Sequence, residues 1–171
     1  MAFDATIGGT SSNSYSTVTD ADEYFTTNLA GDSWQGLSDG AKQSYLVQAT
    51  MMLDDFVEWR SDKATAEQAL HWPAVGATDC SGNGLPDDSI PKDIQRATYE
   101  QVVYLLEVNS TNNPAAVSQG IKTAKADVLE VEFDKRAIPD RLGATVEAIL
   151  SCYGKVNGKS SGLSQSVVRL A

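Results

Sequence analysis

The feature that most restricts how this chain can fold is an apolar stripe between Ala41 and Phe56. Ala41, Tyr45, Ala49, Met52 or Leu53, and Phe56 recur every three or four residues. That spacing gathers them on one side of a helix and demands a core for that side to bury against. Ser38 stands where an N-cap belongs, so the spacing predicts a helix over about 39–59. Met51 and Met52 read as core filler within it.

Further helices follow from similar signals. Thr19 with Asp22 three residues on resembles a capping box and opens a short helix with Tyr24, Phe25 and Leu29 on its apolar side. "GDSWQGLSDG" reads as a turn. Pro91 suits a first helical turn, and Ile94, Ala97, Gln101 or Val102, and Leu105 then share a face up to about Val108. "NSTNNPAAVSQG" reads as the loop that ends this helix. Pro139 opens a last helix over about 140–153, with Leu142, Val146, Ile149 and Leu150 apolar.

One segment changes period. Leu129, Val131 and Phe133 alternate with Glu130, Glu132 and Asp134, which predicts a half-buried strand near 127–134. Residues 1–18 are small, polar and Gly-rich, and read as an extended arm that orders only against something else. The expectation is therefore a mainly α fold. It has a compact bundle of about four helices, a small β-strand or hairpin element, and extended N- and C-terminal arms. At 171 residues it forms one domain, with a core over 19–153 and a tail over 154–171.

The net charge is −10, and it is unevenly placed. Residues 154–171 hold Lys155, Lys159 and Arg169 and no acid, which leaves −13 on residues 1–153. Free nucleic-acid binders commonly show a basic face, so this balance argues against strand binding. The three tryptophans read as core residues and not as stacking platforms. No apolar run is long enough to span a bilayer, and no basic residue precedes Lys42 as a secretion signal requires. Cys80 and Cys152 are expected as free thiols in a reducing cytosol.

The run "LHWPAVGATDCSGNGLPDDSIP", from Leu70 to Pro91, holds the sole histidine and one of the two cysteines. Asp79, Ser81, Asn83 and Gly84 match the first half of a calcium loop, but Ile90 stands where the bidentate Glu belongs. A Gly/Asn turn is the better reading. His71 has neither an oxyanion motif nor a nucleophile elbow near it, and one His with two Cys at this spacing fits no zinc pattern. No catalytic residue, cofactor or metal is expected, and the chain is not read as an enzyme. The stretch is expected to be an anchored loop in which Trp72 docks and Pro73 stiffens the turn.

Taken in order, "TIGGTSSNSYSTVTDADEYF", "LVQATMMLDDFVEW" and "LHWPAVGATDCSGNGLPDDSIPKDIQRATYEQVVYLL" resemble a tailed-phage family. Its members are often labelled DnaT-like single-stranded DNA-binding proteins, and they look like head–tail connector proteins. The likeness is good over about 5–108 and weaker beyond. Relatives often carry a basic residue after the Trp-Pro pair, where this chain has Ala74.

The resemblance implies a virion structural protein made in the bacterial cytoplasm. It would form a ring, expected to be dodecameric, that joins the portal to a tail-side connector or tail-terminator protein at the head–tail interface. DNA would pass through the channel without specific binding, and no membrane would be involved. The tail, through Lys155, Lys159, Val167, Val168, Arg169 and Leu170, is the expected partner-binding segment. The alternative is a single-stranded DNA-binding protein, as the family label says.

Overall fold

The computed structural model describes residues 2–111 and 142–157. The expected strand near 127–134 and the tail residues Lys159, Val167, Val168, Arg169 and Leu170 lie outside them. Among the described residues the fold is mainly α. Five helices run α1 (Val18–Phe25), α2 (Gly31–Gln35), α3 (Asp39–Phe56), α4 (Lys92–Thr111) and α5 (Ala144–Leu150). Two small antiparallel sheets accompany them: β1 (Val57–Trp59) pairs with β4 (Gly154–Val156), and β2 (Asp62–Lys63) with β3 (Ala74–Val75). None of these helices is long and apolar enough to cross a membrane.

Helix α3 starts where its sequence says. The Ser38 hydroxyl accepts the Ala41 N–H at 3.4 Å, and Leu46, Ala49, Thr50 and Leu53 are buried along the helix. It ends three residues early, because Val57-Glu58-Trp59 leaves the helix as strand β1. Helix α1 is capped by Thr17 and not by Thr19: Asp20 N–H reaches Thr17 Oγ1 at 3.1 Å, and Thr17 Oγ1 donates to Asp20 at 2.6 Å. Leu29 lies beyond this helix and is fully exposed. The expected turn around Trp34 contains helix α2, which drives Trp34 into the core against Phe25, with ring centroids 4.6 Å apart.

Two apolar clusters share α3 and α4. One holds Phe25, Trp34, Leu46, Tyr99 and Val102. The other holds Tyr15, Leu53, Val57, Trp72, Ile94, Leu142, Val146, Leu150 and Tyr153. On α4 both Gln101 and Val102 are buried, and Gln101 Oε1 accepts the Gly143 N–H at 3.1 Å just before α5 begins. A buried backbone donor is thereby paired.

The N-terminal arm orders against the chain's own core. Ser12 to Ser16 are buried; Tyr15 N–H reaches Thr50 Oγ1 at 3.1 Å, and Ser16 Oγ meets Tyr99 Oη at 2.5 Å. The tail also starts inside the fold, since its first residues form β4. The expectation of free thiols is corrected as well. Cys80 and Cys152, 72 residues apart, are joined in a disulfide with a Cα–Cα distance of 5.3 Å. Sequence separation carries no information about that proximity, which depends on the loop after β3 folding back onto the end of α5.

Candidate nucleic-acid interface

The departure of the chain from α3 creates the site. Strand β1 pairs with β4 in the register Val57↔Val156, Glu58↔Lys155 and Trp59↔Gly154. Gly154 is required by this close approach: a Cβ there would meet Val57 Cγ1 at 2.5 Å and Glu58 O at 2.8 Å. Beyond β1, Arg60 N–H donates to Tyr153 O at 3.0 Å, and Arg60 Nη1 donates to Cys152 O at 2.8 Å. The guanidinium is held at one point, and its side chain stays exposed.

The opposing corner is Leu70 to Pro73. Buried Gln68 places its Nε2 within 2.9 Å of Leu70 O and His71 O and 2.8 Å of Pro73 O. The Trp72–Pro73 peptide is cis. Beneath this corner, Tyr15 Oη donates to Asp54 Oδ1, while Asp54 Oδ2 accepts the His71 backbone N–H at 2.9 Å. Burial pushes the Asp54 carboxyl up, against the Tyr15 hydrogen bond, and burial with the Asp54 charge pushes the Tyr15 phenol well up. This node fixes where His71 and Trp72 stand.

The outcome is an aromatic pair near the surface. The rings of Trp59 and His71 are stacked, with centroids 5.3 Å apart and planes 18° from parallel. Both are half-buried, whereas Trp72, edge-on to Trp59 at 5.7 Å, is fully buried. Burial and then the charge of Lys63 hold the His71 imidazole below its ordinary value, so it is neutral at pH 7. Exposed Arg60, Lys63 and Lys155 belong to the strands and turns that carry this pair. Lys63 Nζ donates to Gln68 O and Ala69 O, and Lys155 stands across the strands from Glu58. Among the described residues the one ion pair within 4.0 Å is Lys42–Asp22, so none of these three cations is bound to a carboxylate.

The same geometry tests the other readings of the stretch. Ser61 Oγ lies 3.4 Å from His71 Nε2, but Asp54 serves the backbone of His71 and not its ring. A serine–histidine–aspartate relay is therefore not assembled by Asp54. The Asp79 loop is the expected turn. Asp79 Oδ1 accepts Ser81 N–H and Asn83 N–H, and Oδ2 accepts Asn83 Nδ2, each at 2.8 Å. These bonds, those from Asn83 foremost, hold its carboxyl below the usual range. The left-handed residue of the turn is Gly82, at φ +85°, and not Gly84.

Of the tail residues expected to bind a partner, only Lys155 falls within the described structure, where it forms part of β4. Trp59 and Arg60 were not legible as site residues, because the helical stripe of α3 runs into them. The available signal was Val57-Glu58-Trp59, an apolar–polar–apolar alternation rich in strand formers.

No curated protein and no solved structure matches the chain significantly. A family model described as "Putative DnaT-like ssDNA binding protein" matches residues 1–170. This description overturns the main expectation of a head-to-tail adaptor ring and favours the alternative. The physical source of the error is that net charge is a sum over the molecule. It says nothing about where individual cations and aromatic rings are placed. Over essentially its whole length, the chain belongs to the DnaT-like ssDNA binding protein family.

Proposed function

We propose that this protein binds single-stranded DNA on the face carrying Trp59 and His71, without catalysing a reaction on it. The observation that carries the reading is the Trp59–His71 stack beside Arg60. Single strands expose the flat faces of their bases, and an aromatic platform with cations beside it supplies stacking and phosphate contacts together. Arg60, next to Trp59 in the chain, and Lys63, whose charge acts on the His71 ring, are the cations to meet the backbone, whereas Lys155 lies with Glu58 on the other face of the strand pair. A neutral His71 keeps its ring available for stacking without the hydration of a charge.

The experiment is fluorescence anisotropy with a labelled oligothymidylate at low salt. Each base–aromatic stack contributes about 1–3 kcal/mol, so Trp59→Ala is expected to weaken binding roughly 5- to 150-fold. Trp59→Phe, which keeps a flat ring, is expected to retain most of the affinity. Circular dichroism checks that both variants fold. Equal affinity of Trp59→Ala and the unaltered protein, or no binding at all, would remove the proposal.

A further inference from the structure

A cleft of about 100 Å³ opens beside the aromatic pair, lined by Arg60, Ser61, Trp72, Thr78, Cys152 and Tyr153 among others. At roughly 30 Å³ per water, it has room for about three waters or for one tetrahedral oxyanion. Its side-chain chemistry is lopsided. Arg60 offers a guanidinium of which one N–H bond, to Cys152 O, is accounted for. Ser61 and Thr78 bring hydroxyls. Trp72 is 1% exposed, and its buried Nε1–H, like that of Trp59 outside the cleft, has no hydrogen-bond partner. A buried indole N–H without an acceptor is costly, and such groups in folded proteins call for an explanation.

No carboxylate is among the lining residues. Of the acids around it, Asp93 accepts the Tyr153 hydroxyl at 2.6 Å, and Asp79 holds its own turn. The walls are also fixed relative to each other. The Gly76–Thr78 wall continues into the loop that carries Cys80, and Cys80 is bonded to Cys152 on the opposite wall. A donor-rich cleft with cross-linked walls is preorganised for an acceptor-rich ligand.

We infer that this cleft is a seat for one phosphate group, gripped by the Arg60 guanidinium and the Ser61 and Thr78 hydroxyls, with the buried Trp72 ring in its lining as the reporter. It rests on the strand-binding reading for its natural occupant, a phosphodiester of the DNA backbone next to a base stacked on Trp59. The shared chemistry with free phosphate permits a test with inorganic phosphate alone.

Inorganic phosphate is titrated at constant ionic strength, balanced with chloride, while the indole N–H resonance of Trp72 is followed by NMR. A saturable shift is expected, at least tenfold weaker in Arg60→Gln and weakened in Thr78→Val. Oligothymidylate is expected to move the same resonance and to be displaced by phosphate. If phosphate shifts the Trp72 resonance but the oligonucleotide does not bind, the seat stands for free phosphate and strand binding falls. If the oligonucleotide binds in a Trp59-dependent way while the Trp72 resonance moves with neither ligand, strand binding stands and the seat is overturned. An unmoved Trp72 resonance with no oligonucleotide binding overturns both. Because Arg60 and Thr78 are exposed, their variants are expected to fold, and an unchanged phosphate response in Arg60→Gln would also overturn the assignment.

Discussion

Asp22 ties three elements together with one carboxylate. Its Oδ1 accepts the Trp34 indole N–H at 2.7 Å and the Lys42 ammonium at 2.8 Å, so α1, α2 and α3 meet there. Lys42 is buried and also lies 5.4 Å from the centre of the Trp34 ring. The Lys42 hydrogen bond, helped by Trp34 and opposed by burial, holds the Asp22 carboxyl below its usual range. A carboxylate with a depressed folded-state pKa contributes stability above its unfolded value, near 3.8, and loses it as the pH falls through the folded value. Asp22→Asn is therefore expected to melt at a lower temperature than the unaltered protein at pH 7. The gap should shrink toward zero as the pH is lowered below about 4. A gap independent of pH would show that the Asp22 charge contributes nothing to stability. The residue also shows a limit of sequence reading. In the chain it looks like the acid of a capping box, but that box sits two residues earlier, on Thr17 and Asp20. The partners of Asp22 are 12 and 20 positions away, where no local pattern points.

Elements were legible in proportion to how local their causes are. The Ser38 cap depends on neighbours within a few positions and is where the sequence places it; of the stripe, Ala49 and Leu53 are buried, Ala41, Tyr45, Met52 and Phe56 only partly so, and Leu46 and Thr50 share the buried face. Strands β1 and β4 are three residues each and exist because they find one another across more than half of the chain. The alternation of Val57-Glu58-Trp59 is the one local signal, and three residues of it are too few to end the helical pattern that runs into them. Gly154 records this pairing, since any Cβ there collides with the backbone of Glu58. Gly154→Ala is expected to destabilise by about 1–3 kcal/mol through forced separation of the strands, read by chemical denaturation. An unchanged midpoint would mean that the pairing adjusts at no cost. The disulfide acts on the same region. Closing a loop of 72 residues restricts the unfolded chain by an amount worth about 4 kcal/mol in the entropic treatment, and measured losses on removing native bridges run from about 2 to 5 kcal/mol. Reduction with dithiothreitol is expected to lower the denaturation midpoint by a corresponding amount. Cys80→Ser should melt at the same lower temperature with or without reductant. A midpoint insensitive to reductant in the unaltered protein would show that the bridge does not form in solution.

At the scale of the whole molecule, the proposed function asks a chain of net charge −10 to bind a polyanion. Two salt effects then act in opposite directions. Contacts between cations and phosphates release counterions, so affinity falls with salt, at about −0.7 in log–log slope per contact for single strands. The acidic body repels the strand, and this repulsion weakens as the screening length shortens from about 30 Å at 0.01 M to about 8 Å at 0.15 M. Two cations, Arg60 and Lys63, set a limiting slope of about −1.4, and relief of repulsion makes the observed slope shallower. Anisotropy titrations between about 0.02 and roughly 0.2 M salt are therefore expected to give a slope no steeper than about −1.4. Arg60→Gln should reduce its magnitude by about 0.7. A slope of about −4 or steeper would require more phosphate contacts than this face can make. It would bring in further cations, either exposed Lys92 and Arg96 on α4 or those outside the described residues, of which the sequence has Lys122, Lys125, Lys135, Arg136, Arg141, Lys159 and Arg169. A shallow slope that loses its Arg60 contribution on substitution would instead tie recognition to the aromatic pair, because stacking is the one contact on this face that salt does not screen.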